Sequence, residues 1–144
     1  FTRYKKRNGI ALRWLLKSAE QGYAPAQYEV AKAYADGDGA PVSVADARKW
    51  FQAASINGHT WAQGEYIRVL AGTYCWGDYP DTPKCVPSKE ELFEAYAWSI
   101  ATEERTNESD AWLKYSPEQV LAAYRRADEI RREIAGNTAK EPSA

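Results

Sequence analysis

Apolar positions along this chain recur at helical spacing. Ala11, Trp14, Leu15 and Ser18 fall at i, i+3, i+4 and i+7, which places them on one face of a helix. Ala26, Val30, Ala33 and Tyr34 make a second such face, and that run ends at Asp36-Gly37-Asp38-Gly39. Between the two, Gly22 supplies a turn, where positive φ costs glycine little. Pro25 suits the first turn of the second helix, because the N–H it lacks would have no partner there. Capping patterns predict further starts at Ser43-x-x-Asp46, Thr60-x-x-Gln63 and Ser88-x-x-Glu91. The clearest run comes near the end. Ser116-Pro117-Glu118-Gln119 reads as an N-cap, a proline at the first helical position and a capping glutamine. Val120, Tyr124, Ala127, Ile130 and Ile134 follow on one face, Gly136 predicts the stop, and 137–144 reads as a flexible tail.

Laying the chain on itself with a shift of 36 residues aligns Ala11 with Ala47, Trp14 with Trp50 and Leu15 with Phe51. The same shift carries Gly22 onto Gly58, Ala26 onto Ala62 and Gln27 onto Gln63. A third copy starts at Ala95-Tyr96-Ala97-Trp98, 48 residues after Ala47, the extra 12 being taken up by an intervening loop. A fixed period of this length is the mark of a helical array in which each unit buries its apolar face against the next. Repeated alanines let helices approach closely, and Trp14, Trp50 and Trp98 are expected to fill the gaps between pairs.

These residues resemble the Sel1-like repeat, a relative of the tetratricopeptide repeat, whose pattern runs roughly A-x-x-W-[YF]-x-K-A-A-E-x-G-x-x-x-A-Q-x-x-L-G-x-x-Y-x-x-G-x-G. Ala11, Trp14, Lys17, Ala19, Glu20, Gly22, Ala26, Gln27, Tyr34, Gly37 and Gly39 stand in place. In the second copy Leu70 replaces the family tyrosine and the glycine loop is lengthened, while the third keeps little beyond Ala95 and Trp98. The stretch Leu113–Ala127 is similar to the helix that closes such arrays. The resemblance implies an all-α fold, a right-handed α–α superhelix with a C-terminal capping helix. On that basis the repeat domain covers 1–136, with repeats at about 8–42, 43–87 (including an inserted loop at 72–87) and 88–115, then the capping helix at 116–136. It also implies binding of other proteins through a curved surface, with no shared chemistry.

Composition changes this picture little. The chain has 144 residues, 44% of them hydrophobic, and a net charge of −1, which argues against a dedicated nucleic-acid binder. No stretch approaches the roughly 20 apolar residues that span a bilayer. Charge placement is more informative. Residues 1–17 hold six basic side chains and no acid, whereas residues 88–110 hold seven acids against Lys89 and Arg105. Such a dipolar layout suits a protein partner or head-to-tail packing as well as plain solvated helix faces. A start at Phe1 without an apolar stretch reads as an excised or processed piece.

Cys75 and Cys85 are the two cysteines, and they bracket the irregular segment Trp76-Gly77-Asp78-Tyr79-Pro80-Asp81-Thr82-Pro83-Lys84. Prolines at 80, 83 and 87 argue against helix or central strand there. Two cysteines at the ends of one loop suggest a disulfide, and a disulfide would place the protein in the periplasm or outside the cell. The alternative is a buried Cys75 with a free Cys85, which would suit the cytoplasm. Two thiols and one distant histidine fall short of a zinc site.

A search for chemistry finds bland explanations throughout. His59 follows Gly58 and reads as a turn residue; no nucleophile motif accompanies it. Gly37-Asp38-Gly39 lacks the Lys-Ser/Thr pair of a phosphate loop and reads as a helix end. Asp78, Asp81, Glu90, Glu91 and Glu94 could in principle act as a carboxylate pair on glycosides, yet acids are favoured at helix starts anyway. The resulting expectation is a non-enzymatic, cofactor-free binding scaffold with another protein as partner, either a periplasmic adaptor or an inhibitor of a toxic effector. A homo-oligomer is compatible with it, as are two other readings, a hydrolase using the clustered acids and a cytosolic regulatory scaffold. Trp61, Trp76, Tyr79 and Trp112 fall off the repeat register and are the expected partner contacts, since Trp and Tyr dominate interface hot spots.

Overall fold

In a computed structural model of the chain, the described residues are 2–74, 86–103 and 115–140, with side chains described from residue 8 onward. They form six helices and no strand. These are α1 (Thr2–Glu20), α2 (Ala24–Asp36), α3 (Val44–Ile56), α4 (Thr60–Leu70), α5 (Lys89–Thr102) and α6 (Pro117–Thr138). Each packs on the next, and α6 also reaches back to α3. The result is a solenoid of three helix pairs.

Local chemistry sets the boundaries. The Ser43 hydroxyl accepts from the Asp46 N–H, and full capping boxes open α5 (Ser88 with Glu91) and α6 (Ser116 with Gln119). Gly22 and Gly58 turn the chain at φ 89° and 84°, and Gly37 ends α2 at φ 70°. At Gly39 (φ 85°) the chain passes so close to α1 that an added Cβ would lie 2.6 Å from the Asn8 carbonyl oxygen. Two expected signals behave differently. Thr60 does not cap α4; His59 does, its Nδ1 accepting from the Ala62 N–H at 3.2 Å. Gly136 does not stop α6, which runs on to Thr138. A glycine inside a helix costs only about 1 kcal/mol, and nothing around Gly136 calls for a turn.

Most of the core joins α2 to α6, around Phe51, Ile67, Leu70, Trp98 and Ile130, none more than 2% exposed. A second cluster (Leu12, Ala19, Ala26, Val30) lies under α1 and α2, and Tyr34 and Trp50 pack against both. Alanines at 31, 35, 47, 54, 62, 95, 123 and 127 are buried and permit the close helix spacing. Trp98 meets Tyr66 edge-on at 5.3 Å, and burial pushes the Tyr66 phenol up to about 12.

Trp14 departs from expectation. It is 67% exposed, whereas Trp98 is 2% exposed and Trp50 is half-buried. Helical register tells which way a side chain points, but burial also needs a neighbour. Trp50 has α2 in front of it, and among the described residues no helix pair stands in front of α1. Tyr124 is likewise exposed (52%), and Ala123 takes the inward place assigned to it, so the buried stripe of α6 runs Ala123, Ala127, Ile130.

Candidate partner-binding surface

The repeated Ala-Gln pair organises the edge of the array where the hairpins turn. Gln27 donates its amide N–H to the Ala19 carbonyl at 3.0 Å, and Gln63 donates to the Ser55 carbonyl at 3.1 Å, the same bond one repeat later. Asn57 then donates to the Gln27 side-chain oxygen at 2.9 Å, tying the second turn to the first. Both glutamines are buried, so each amide replaces the hydrogen bonds with water that it loses on folding. With the turns pinned, the residues beside them are held outward. Trp61, one residue into α4, is 75% exposed, and Tyr23, immediately before α2, is 60% exposed. Trp61 stands where the first repeat has Pro25, a helix-start position with nothing to pack on. Tyr23 was not singled out by the sequence pattern; its position, 36 residues before the turn residue His59, was the available signal.

His59 is built into this edge. Its ring stacks on Tyr28 at 4.6 Å, with 21° between the planes. Burial lowers its pKa, while Glu29 acts in the opposite direction. The neutral imidazole therefore serves as the helix cap. Behind it, an added Cβ on Gly58 would lie 2.6 Å from the Thr138 methyl, so the end of α6 closes over this turn.

Two of the acids named for a hydrolytic pair, Glu91 and Glu94, are engaged between helices. Glu91 accepts from the Ser88 N–H and pairs with Arg48 of α3, and these partners hold its carboxyl below the usual range. A general acid needs the opposite shift. Glu94 is bound by Arg126 of α6 at 2.8 Å. Both carboxylates join helices. A shallow groove of about 230 Å3 lies between α1 and α2, floored by Ala11, Leu12 and Leu15 and rimmed by Glu29, Lys32 and Asp38. Among the described residues, no group of three or more His, Cys, Asp or Glu is placed to hold a metal ion, and no helix is long and apolar enough to cross a membrane. Cys75, Cys85, Trp76, Tyr79, Trp112, Asp78 and Asp81 lie outside the described residues.

A comparison with curated proteins returned no match. A comparison with family profiles did: the Sel1 repeat matches residues 7–23 and again residues 24–59. The second match spans 36 residues, the period read from the sequence, but is cut half a unit later, so that α2 and α3 form one unit. Residues 7–59 are thus similar to Sel1 repeats, and that repeat type suggests a scaffold for protein–protein interaction.

Proposed function

We propose that this scaffold is a periplasmic or secreted adaptor, or an inhibitor of a toxic effector, that grips its protein partner along the turn edge. The observation carrying this reading is the exposure of Trp61 beside a pinned turn, with Tyr23 at the neighbouring one. Two rigid aromatics cost little conformational entropy to dock and bury much area, which is the composition of interface hot spots. The pattern of Cys75 and Cys85 supports the oxidising compartment, and the loop they bracket supplies Trp76 and Tyr79 as further contacts.

Affinity capture from the native cell extract tests the reading. Trp61→Ala, combined with Tyr23→Ala, should lower capture of the partner at least about fivefold, the scale of an interface residue worth more than 1 kcal/mol. Helicity should be unchanged. Undiminished capture by the double variant would refute the turn-edge site. In parallel, two titratable thiols in the natively produced protein before reduction would refute the oxidising compartment.

A further inference from the structure

The last helix pair departs from the first two. Tight turns at Gly22 and Gly58 join α1 to α2 and α3 to α4, so each of those pairs runs antiparallel. In contrast, α6 runs in the same direction as α5. Tyr115, just before α6, stacks on Tyr96 of α5 at 5.7 Å and meets Phe93 edge-on. Arg126 then holds Glu94, and further along Arg131 donates to the carbonyls of Ile100 and Ala101 at 2.7 and 3.2 Å. The far end of α6 reaches the turn edge, with the Thr138 methyl over Gly58. So α6 is not the returning arm of a hairpin, and residues 104–114 connect the end of α5 to a point beside its earlier turns.

This helix is also held differently from the others. Of the 11 residues of α4 six are buried, Tyr66, Ile67 and Leu70 among them, whereas α6 buries three of 22, and two of those are alanines. One narrow stripe faces inward: Val120, Ala123, Ala127, Ile130, Ile134 and Asn137, at alternating steps of three and four. That is the spacing of a helix laid along a groove. Its seat is α5, with α3 beside it. The seat meets α6 with acceptors, the Glu94 carboxylate and carbonyls at the end of α5, where the helix dipole is negative. Elements that open on their own are those with few buried apolar contacts.

We propose that this seat is a receptor for an amphipathic helix of another protein, and that α6 occupies it until displaced. The partner helix that fits has small and aliphatic residues along one seam and arginines beside it, as α6 has. Being on the same chain, α6 competes at a high effective concentration, so a partner must bind the seat more tightly or meet a loosened α6. Neither Trp61 nor Tyr23 takes part, and the proposal stands apart from the turn-edge reading.

A labelled peptide of residues 116–140 is the probe, followed by fluorescence anisotropy against the full chain. Arg126→Ala combined with Arg131→Ala loosens α6 and leaves Glu94 and the α5 carbonyls free for the arginines of the peptide. Both side chains are partly exposed, so the far-UV spectrum should be kept. The double variant should take the peptide at least about tenfold more tightly than the wild type, as the loss of two partly exposed ionic contacts implies. A peptide carrying Ile130→Glu should bind neither chain. Hydrogen exchange of the wild type gives a reading that needs no variant: the amides of α6 should exchange together, at least about tenfold faster than those of α4. Equal peptide affinities for the two chains would overturn the proposal, and so would an α6 that exchanges in step with α4, because either makes α6 a fixed part of the core. Capture of the Ile130→Glu peptide would overturn the seam as the recognised feature. A double variant that pairs with itself in place of capturing peptide would overturn the outside partner and give the seat to a second copy.

Discussion

Trp14 and Trp98 occupy the same position in their repeats and should respond very differently to truncation. Trp98 is 2% exposed, so Trp98→Ala removes nearly all of a buried indole, about 200 Å2 of surface. At about 25 cal/mol/Å2 that is about 5 kcal/mol, and measured Trp→Ala losses of about 3–5 kcal/mol agree. Trp14 hides only a third of its surface, and the stem next to Cα remains in the alanine variant. Among the described residues Lys17 Nζ lies 4.7 Å from its ring centroid, a contact worth about 0.5 kcal/mol at such exposure. Trp14→Ala should therefore cost about 1 kcal/mol, and half-buried Trp50→Ala an intermediate amount. Urea unfolding measures this, followed by far-UV circular dichroism because the substitutions delete a fluorophore. With an m-value of about 2 kcal/mol/M, Trp98→Ala should lower the midpoint by about 2 M and Trp14→Ala by about 0.5 M. Equal shifts would show that α1 is covered within a single molecule, and the account of the open face would fail.

Other perturbations follow from the turns. Gly39→Ala forces a left-handed φ on alanine and drives its Cβ into the α1 backbone, so it should cost about 3 kcal/mol in the same unfolding assay. Gly22→Ala, equally left-handed but with nothing within 4 Å of the new Cβ, should cost about 1 kcal/mol; equal costs would refute the close approach at Gly39. The lowered pKa of His59 means that the unfolded chain binds a proton more readily than the folded one. Its contribution is present above the ordinary value of 6.5 and is lost as pH falls through the lower folded value. His59→Asn keeps a capping side chain without a titrating ring, and should flatten that limb of the stability–pH curve; an unaltered curve would remove His59 as its source.

The period was legible because like residues recur at a fixed offset of 36, and the turns at Gly22 and Gly58, the end at Gly37 and the caps at Ser43, Ser88 and Ser116 because each depends on neighbours within a few residues. What escaped depends on distant parts of the chain. Nothing near Trp14 tells that α1 has no helix in front of it. The ring of Tyr28, which positions His59 as the cap of α4, lies 31 residues away from it in the chain. Gly136 is a stop signal by composition, but helix continuation there is settled over a whole turn, through to Ala139. The same limit applies to Glu91 and Glu94, whose spacing suggested chemistry and whose partners, Arg48 and Arg126, come from two other helices.

The Gln27–Asn57 bond has a mechanical meaning. Helices joined through alanine present smooth surfaces that resist separation well and sliding poorly, much as greased plates do. An amide held at both ends acts as a detent, fixing how far one hairpin is rotated against the next. Small rotations add along an array, so a bond that ties the second turn to the first bears on the shape of the whole row. Gln27→Leu would keep the joint buried and dry while freeing it to slip, and the loss would register as a broadened distribution of shapes in small-angle scattering, with the helices intact.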